Sequence, residues 1–244
     1  MLGLPEGVTA CLFDMDGVIT QTAKVHDAAW KEMFDEFLRS WSAANGKPFV
    51  PFDPVNDYDE YVDGKPRLEG TASFLESRGI KLPAGSESDP PGAETIWGLS
   101  NKKNDLIQAV IERDGVQVYE GSVRYVNAVR AAGLRTAIVS SSANTEAVLK
   151  VAGVDSLFEV RVDHQVAEAR KLHGKPAPDT FLEAARMLGV AAANACVYED
   201  ALAGVAAGRA GHFGFVVGVD RVGQADQLHA HGADVVVKDL AELL

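Results

Sequence analysis

Two aspartates separated by one residue, Asp14 and Asp16, close an apolar, β-prone stretch at residues 8–13. In an extended chain residues i and i+2 face the same side, so this pair presents two carboxylates to one small volume. Crowded like charges need a cation, or one carboxylate must keep its proton. Those two remedies suit a metal-bound nucleophile working beside a general acid. The competing reading is an Asp-rich turn closed by Gly17, since Asp and Gly dominate turns.

Three other groups of polar residues follow strand-like or turn-like segments. Ser140, Ser141, Ser142 and Asn144 place hydroxyls and an amide just before a helical pattern. A helix N-terminus favours anions, so Ser140 and the nearby backbone N–H groups can hold a phosphoryl oxygen, with its neighbours as substrate contacts; simple N-capping by Ser or Asn is the alternative. Lys175 stands in Gly174-Lys175-Pro176-Ala177-Pro178-Asp179, a turn that prolines stiffen. Glu199 and Asp200 end a further apolar strand. Carboxylate oxygens suit Mg²⁺, which keeps several waters and needs only one or two protein carboxylates plus a substrate phosphate, although either acid could instead cap the helix that follows.

The elements that must position these residues alternate. Residues 134–139, 158–162, 195–198, 213–219 and 235–237 read as strands, and residues 143–152, 178–188, 201–210 and 224–231 read as helices. Repeated β-α alternation predicts an α/β fold, a doubly wound parallel-sheet (Rossmann-like) core with helices on both faces. Functional groups of such sheets collect at the carboxyl ends of the strands, which is where the Asp pair, Ser140 and the Glu-Asp pair fall. Residues 22–118 break the rhythm. Residues 26–39 form an amphipathic helical pattern, 71–77 and 106–113 are helical fragments, and Pro/Gly/Asp-rich stretches at 48–54 and 84–92 lie between them. The expected division is therefore a core of 1–22 and 119–244 with an inserted helical cap of 23–118, its Pro-rich parts mobile.

Composition sets outer bounds. The 244 residues are 47% hydrophobic and 24% charged, with formal net charge −12, an ordinary globular composition. The acidic balance argues against a nucleic-acid partner. No apolar run is long enough to span a bilayer and the start lacks signal-peptide regions, so a cytoplasmic protein with no membrane partner is expected. Cys11 and Cys196 lie in apolar strands, and free buried thiols are expected of them. No dimerisation stripe is visible, which makes a monomer the default. A small anionic substrate of so acidic a chain needs a local basic pocket.

Taken in order, Asp14-Met15-Asp16-Gly17-Val18-Ile19-Thr20, Ser140, Lys175 and Glu199-Asp200 resemble the motifs of the haloacid dehalogenase-like superfamily of phosphotransferases over essentially the whole chain. The resemblance implies that Asp14 attacks the phosphoryl group to form an aspartyl-phosphate, and that Asp16 serves as general acid and then base. It also implies Mg²⁺ held by the Asp14 carboxylate, the Asp16 carbonyl and Asp200, with Glu199 as ligand or support, while Ser140 and Lys175 hold the transferring oxygens. Dehalogenase members use no metal and lack the second acid of the first motif.

Segments around His26 and Trp30, from Val62 through Gly64 and Lys65 to Arg67, and around Lys103 are similar to the cap of the β-phosphoglucomutase-like family. That similarity implies that Arg67 and Lys103 grip a non-reacting phosphate and that His26, Trp30 and the Gly64-Lys65 loop lie on the sugar side of a hexose phosphate. The expected activity is interconversion of β-glucose 1-phosphate and glucose 6-phosphate. A sugar-phosphate phosphatase is the alternative enzyme, and a catalytically silent binding protein the alternative of another class. Alternatively Arg67, Lys102 and Lys103 are solvated surface charges. The chain departs from the family pattern at Gln21, often acidic there, at Ala143, and in a long cap segment, 42–59.

Overall fold

Strand β1 (Ala10–Phe13) is buried along its whole length. It pairs in parallel with β2 (Arg135–Val139) on one side and with β4 (Ala195–Glu199) on the other. With β3 (Val160–Val162), β5 (Phe215–Val219) and β6 (Val235–Val237) these make one parallel sheet in the order β3-β2-β1-β4-β5-β6. Near-continuous apolar strands are what a sheet covered on both faces requires. The order reverses beside β1, so the crevice outside its carboxyl end is the site that doubly wound topology provides. The computed structural model describes residues 2–244.

The chain divides into two compact units, Met1–Thr22 with Val116–Leu244, and Ala23–Gly115. The first holds the sheet, α4 (Glu120–Ala131), α5 (Thr145–Val151), α6 (His164–Arg170), α7 (Asp179–Leu188), α8 (Leu202–Ala210) and α9 (Ala225–His231). One of its cores gathers Leu12, Val139, Phe181, Leu188, Val197 and Val216. Helix α7 ends at Gly189, whose φ of 70° gives the left-handed C-terminal turn that glycine makes without strain. The sequence pattern for residues 143–152 shortens to α5, because Ala143 and Asn144 belong to the turn that carries the serines. The sequence pattern predicts neither α4 nor α6. The buried face of α4 begins with the small Gly121 and Ser122, which leaves its apolar stripe only Tyr125, Val126 and Val129, and α6 buries none of its residues, relying instead on Asp163, whose carboxylate accepts the Val166 N–H at 3.0 Å.

The two crossings between units are paired inside the first one. Thr20 and Val118 form an antiparallel bridge, Gln21 donates its backbone N–H to Gln117 O at 2.8 Å, and Tyr119 donates to Ile19 O at 2.9 Å. The Gln21 side-chain amide donates to Val118 O at 2.9 Å, a bond that the carboxylate usual at this position could not make.

The second unit is built on α1 (Ala23–Asn45), α2 (Arg67–Ser77) and α3 (Ile96–Asp114), with a π-helical turn at Tyr58–Val62. Helices α1 and α3 are longer than the apolar periodicity indicates; Thr95 extends α3 backward by accepting the Gly98 N–H at 2.9 Å. The core stacks Trp30, Phe34, Phe52 and Phe74, with Phe34 at 5.3 Å from Phe52 and Phe52 at 5.0 Å from Phe74 between ring centroids. Phe52 comes from the long segment absent from the family pattern. Its backbone N–H donates to the buried Asp35 carboxylate at 2.8 Å, its carbonyl accepts from Lys31 Nζ at 2.9 Å, and Arg78 binds Asp57 and the Pro51 carbonyl nearby. The other Pro-rich stretch is held by Asp89, which accepts from Thr95 Oγ1 at 2.6 Å, and by Asn101, which donates to the Glu87 and Asp89 carbonyls.

All three tryptophans, Trp30, Trp41 and Trp97, lie in the second unit, so their fluorescence reports its unfolding selectively. Phe52→Ala should cost that unit about 3–5 kcal/mol in urea titrations followed by tryptophan emission, whereas Phe49→Ala, at an exposed position of the same segment, should stay within about 0.5 kcal/mol. Equal effects would mean that Phe52 does not anchor the segment.

Candidate active site

The carboxyl end of β1 delivers Asp14, whose backbone N–H bonds Tyr198 O at 2.9 Å and so locks the two strand ends together. The chain then folds back on itself, with Ile19 and Thr20 both donating to Met15 O at 2.9 Å and Gly17 donating to Thr20 O at 2.8 Å. Gly17 takes φ +85°, and a side chain there would collide with the Asp200 carboxylate. That glycine is therefore required twice, by backbone conformation and by close approach. Asp16 accepts a hydrogen bond from Thr22 Oγ1, which lies 2.6 Å from Thr20 Oγ1.

Lys175 is 1% exposed and makes ion pairs to Asp14 and, at 2.6 Å, to Glu199, which is fully buried. Its ammonium also lies 5.0 Å from the centre of the Phe181 ring. Burial alone would lower the lysine's pKa, but the Asp14 and Glu199 carboxylates outweigh it and raise it. Burial holds the Asp14 carboxyl above the usual range; the Lys175 charge opposes that, and Glu199 and Asp16 add to it. Glu199 also accepts the Ala201 N–H at 2.9 Å through its second oxygen, at the start of α8. The same carboxylate thus pairs with Lys175 and anchors the backbone that enters α8, a helix whose N-terminus has no side-chain cap.

Asp14, Glu199 and Asp200 offer one oxygen each within 4.8 Å of one another. An all-carboxylate donor set fits a hard divalent cation and suits soft metals poorly. Ser140, at the end of β2, is buried and accepts the Ser142 N–H at 3.1 Å, while Ser142 Oγ accepts the Asn144 N–H at 3.1 Å. The hydroxyls thus organise the turn, and Asn144 gives no side-chain cap to α5.

In the second unit Lys103 of α3 is 5% exposed, with Nζ 2.9 Å from His26 Nδ1 and 4.7 Å from the centre of the Trp30 ring. This overturns the solvated-charge alternative for Lys103. Lys102 pairs with Glu36 instead. Arg67 opens α2 with its Nε buried and without a hydrogen-bond partner; burial lowers its pKa while Glu87 and Asp105 raise it. Lys65 follows Gly64 and donates to the Glu60 carbonyl at 3.0 Å and to Ser73 Oγ at 3.3 Å; burial lowers its pKa while the Glu60 and Glu69 charges oppose that.

Thr22 is a site residue that the sequence reading missed, although its spacing from Thr20 in the loop after Asp16 was visible. The thiols behave as expected: both are free and buried, and they face each other across β1 and β4. Burial pushes the Cys11 thiol up to about 12, with Tyr198 opposing it.

A parallel sheet of this order, bearing acids at two neighbouring strand ends and a buried lysine between them, defines a phosphoryl-handling α/β enzyme with an inserted helical unit. The profile of haloacid dehalogenase-like hydrolases matches residues 8–212, and the chain belongs to that family. It is 57% identical over 247 aligned residues to a β-phosphoglucomutase of Mycobacterium bovis, covering 100% of this chain and 94% of the other. It is 30% identical to the β-phosphoglucomutase of Bacillus subtilis, covering 96% and 91%. The crystal structure of a Clostridium difficile β-phosphoglucomutase superposes with a TM-score of 0.74 at 26% identity, covering 97% of this chain and 93% of that one.

Removing one partner of a buried ion pair commonly costs about 3–5 kcal/mol. Lys175→Ala, measured in EDTA at pH 7, should lose stability on that scale. The loss should shrink on acidification. A carboxyl whose folded pKa is raised holds a proton that the unfolded chain has released, so its contribution is complete below the unfolded pKa and vanishes as pH rises through the folded one. A loss that grows toward pH 5 would contradict the charge balance described.

Proposed function

We propose that this protein is a Mg²⁺-dependent phosphotransferase that interconverts β-glucose 1-phosphate and glucose 6-phosphate through an aspartyl-phosphate on Asp14. The observation that carries the reading is the Asp14–Lys175–Glu199 ion-pair group beside Asp16 and Asp200, on a chain alike over its full length to a β-phosphoglucomutase. Phosphoryl transfer asks a protein mainly for positioning and for neutralisation of oxygens.

An Asp14 carboxylate oxygen attacks phosphorus and the bond from phosphorus to the ester oxygen breaks. Asp16 gives its proton to the departing oxygen. In the second half the acceptor hydroxyl gives its proton to Asp16 and attacks the acyl phosphate, and Asp14 regains its carboxylate. Thr22, donating to Asp16, fixes that carboxyl in both halves. Lys175 steadies Asp14 and the transferring oxygens, and Ser140 supplies a hydroxyl beside them. Asp14, Asp200 and Glu199 would hold Mg²⁺, which supplies charge neutralisation at the phosphoryl group.

Arg67 and Lys103 bind the substrate's second phosphate. A buried guanidinium Nε without a partner costs about 1–3 kcal/mol, and a phosphate oxygen removes that penalty through a charge-assisted bond. The family's hydrolases motivate a second reading, release of the phosphoryl group to water. With Mg²⁺, β-glucose 1-phosphate and a trace of hexose bisphosphate, ³¹P NMR should show glucose 6-phosphate accumulating; inorganic phosphate in its place would favour the hydrolase.

Asp14→Asn should reduce turnover by at least about 10³-fold with the fold retained, and Asp16→Asn by about 10²- to 10⁴-fold. Near wild-type rates in either would remove that residue from its role. Arg67→Ala and Lys103→Ala should each weaken bisphosphate turnover by about ten- to a hundredfold while sparing hydrolysis of acetyl phosphate, which has no second phosphate. Equal losses on both substrates would assign these residues to folding of the second unit.

A further inference from the structure

We propose that the loop after β5, residues 220–224, is a positioning brace for the metal cradle, with Arg221 fixing the Asp16–Gly17 side and Gln224 fixing the Asp200 side. The inference rests on the reading of Asp14, Glu199 and Asp200 as holders of a divalent cation.

Arg221 Nε donates to Gly17 O at 2.8 Å. The same guanidinium donates to Lys238 O at 2.6 Å and to Ser122 Oγ at 3.4 Å, lies 3.5 Å from the Asp239 carboxylate, and stacks on Tyr119 with its central carbon 3.5 Å from the ring centre. A planar fork held on this many sides has one orientation available, and a flexible ammonium cannot copy it. What it holds is the carbonyl of a glycine that touches the Asp200 carboxylate. A shift of Gly17 moves the peptide joining it to Asp16 and opens or closes the space left to Asp200.

Gln224 reaches the cradle from its other side, donating Nε2 to the Asp200 backbone carbonyl at 3.1 Å while its Oε1 is buried without a partner. A buried acceptor left unsatisfied is retained at a cost, so the amide is placed for its donor bond and not for its own solvation. Asp220 shapes the loop that joins the two contacts, accepting the Gly223 N–H at 2.6 Å and the Gln224 N–H at 2.8 Å. One short loop therefore grips two backbone carbonyls, one next to Asp16 and one belonging to Asp200. Arg221 and Gln224 are positioning residues, acting through the backbone of Gly17 and Asp200.

The test is Mn²⁺ binding to the full-length chain, followed by electron paramagnetic resonance, together with the Mg²⁺ dependence of acetyl phosphate hydrolysis and thermal melting. Gln224→Met and Arg221→Met should each raise the Mn²⁺ Kd by about tenfold or more, the usual effect of losing a group that orients a metal ligand. The Mg²⁺ concentration for half-maximal rate should rise in step. Arg221→Lys should recover only a minor part of the loss. Arg209→Met is the control: Arg209 also grips a backbone carbonyl, that of Gly232, and pairs with Asp234, so it should lower the melting temperature without changing Mn²⁺ affinity. Folded Gln224→Met and Arg221→Lys proteins with wild-type Kd would overturn the proposal, as would Kd changes in Arg209→Met equal to theirs. A wild-type chain that binds Mn²⁺, responds to these substitutions as described and yet turns over no phosphate ester would leave the brace standing and defeat the phosphotransferase reading.

Discussion

The structure depends on keeping acidic groups together at the switch point of the sheet. Asp14, Glu199 and Asp200 converge within a few ångströms in a chain that already carries net charge −12. Lys175 offsets two of them through buried ion pairs. A pair at this burial contributes little net stability, because desolvation consumes most of the attraction. Its value is geometric. Lys175 arrives from the loop between α6 and α7 and fixes the ends of β1 and β4 to a third element.

That arrangement explains which parts were legible from the sequence. Asp14, Asp16, Glu199 and Asp200 follow apolar strands directly, so strand periodicity and chain polarity place them without knowledge of packing. The alternating β and α segments of the first unit were legible for the same reason, and so was the Gly189 terminus of α7. Lys175 carried no such local marker. Its spatial position follows from the crossover packing of α7, visible only once Phe181 and its neighbours are in place.

The misses have a common cause. The buried face of α4 carries the apolar Tyr125, Val126 and Val129 only after the small Gly121 and Ser122, α6 buries none, and the first half of α3 contains Gly98, Ser100 and Asn101, so the apolar period on which sequence reading relies is short or missing in each. Residues 42–59 read as irregular, yet Phe52 inserts fully into the second core and Asp35 waits for its backbone. Phe49, Val50, Phe52 and Val55 are broken up by Pro48, Pro51 and Pro54, so no regular period marks Phe52 as the one that is buried while the other three stay exposed. Arg221, Gln224 and Thr22 escaped for a further reason: each acts on a backbone carbonyl or a carboxylate whose location is settled by tertiary structure.

Glycine placement shows how deeply the acids shape their surroundings. A side chain at Gly204, in the first turn of α8, would overlap the Glu199 carboxyl, just as one at Gly17 would overlap Asp200. Glycine inside a helix costs roughly 1 kcal/mol relative to alanine, and α8 accepts that cost at the position facing Glu199. The space it leaves lets the carboxylate bond the Ala201 N–H with one oxygen and Lys175 with the other. A bulkier residue at 204 would push Glu199 toward β1 and Asp14, raising the like-charge repulsion that Lys175 offsets. The small-residue character of α8 and the acidic end of β4 are therefore one constraint, written in two consecutive segments of the chain.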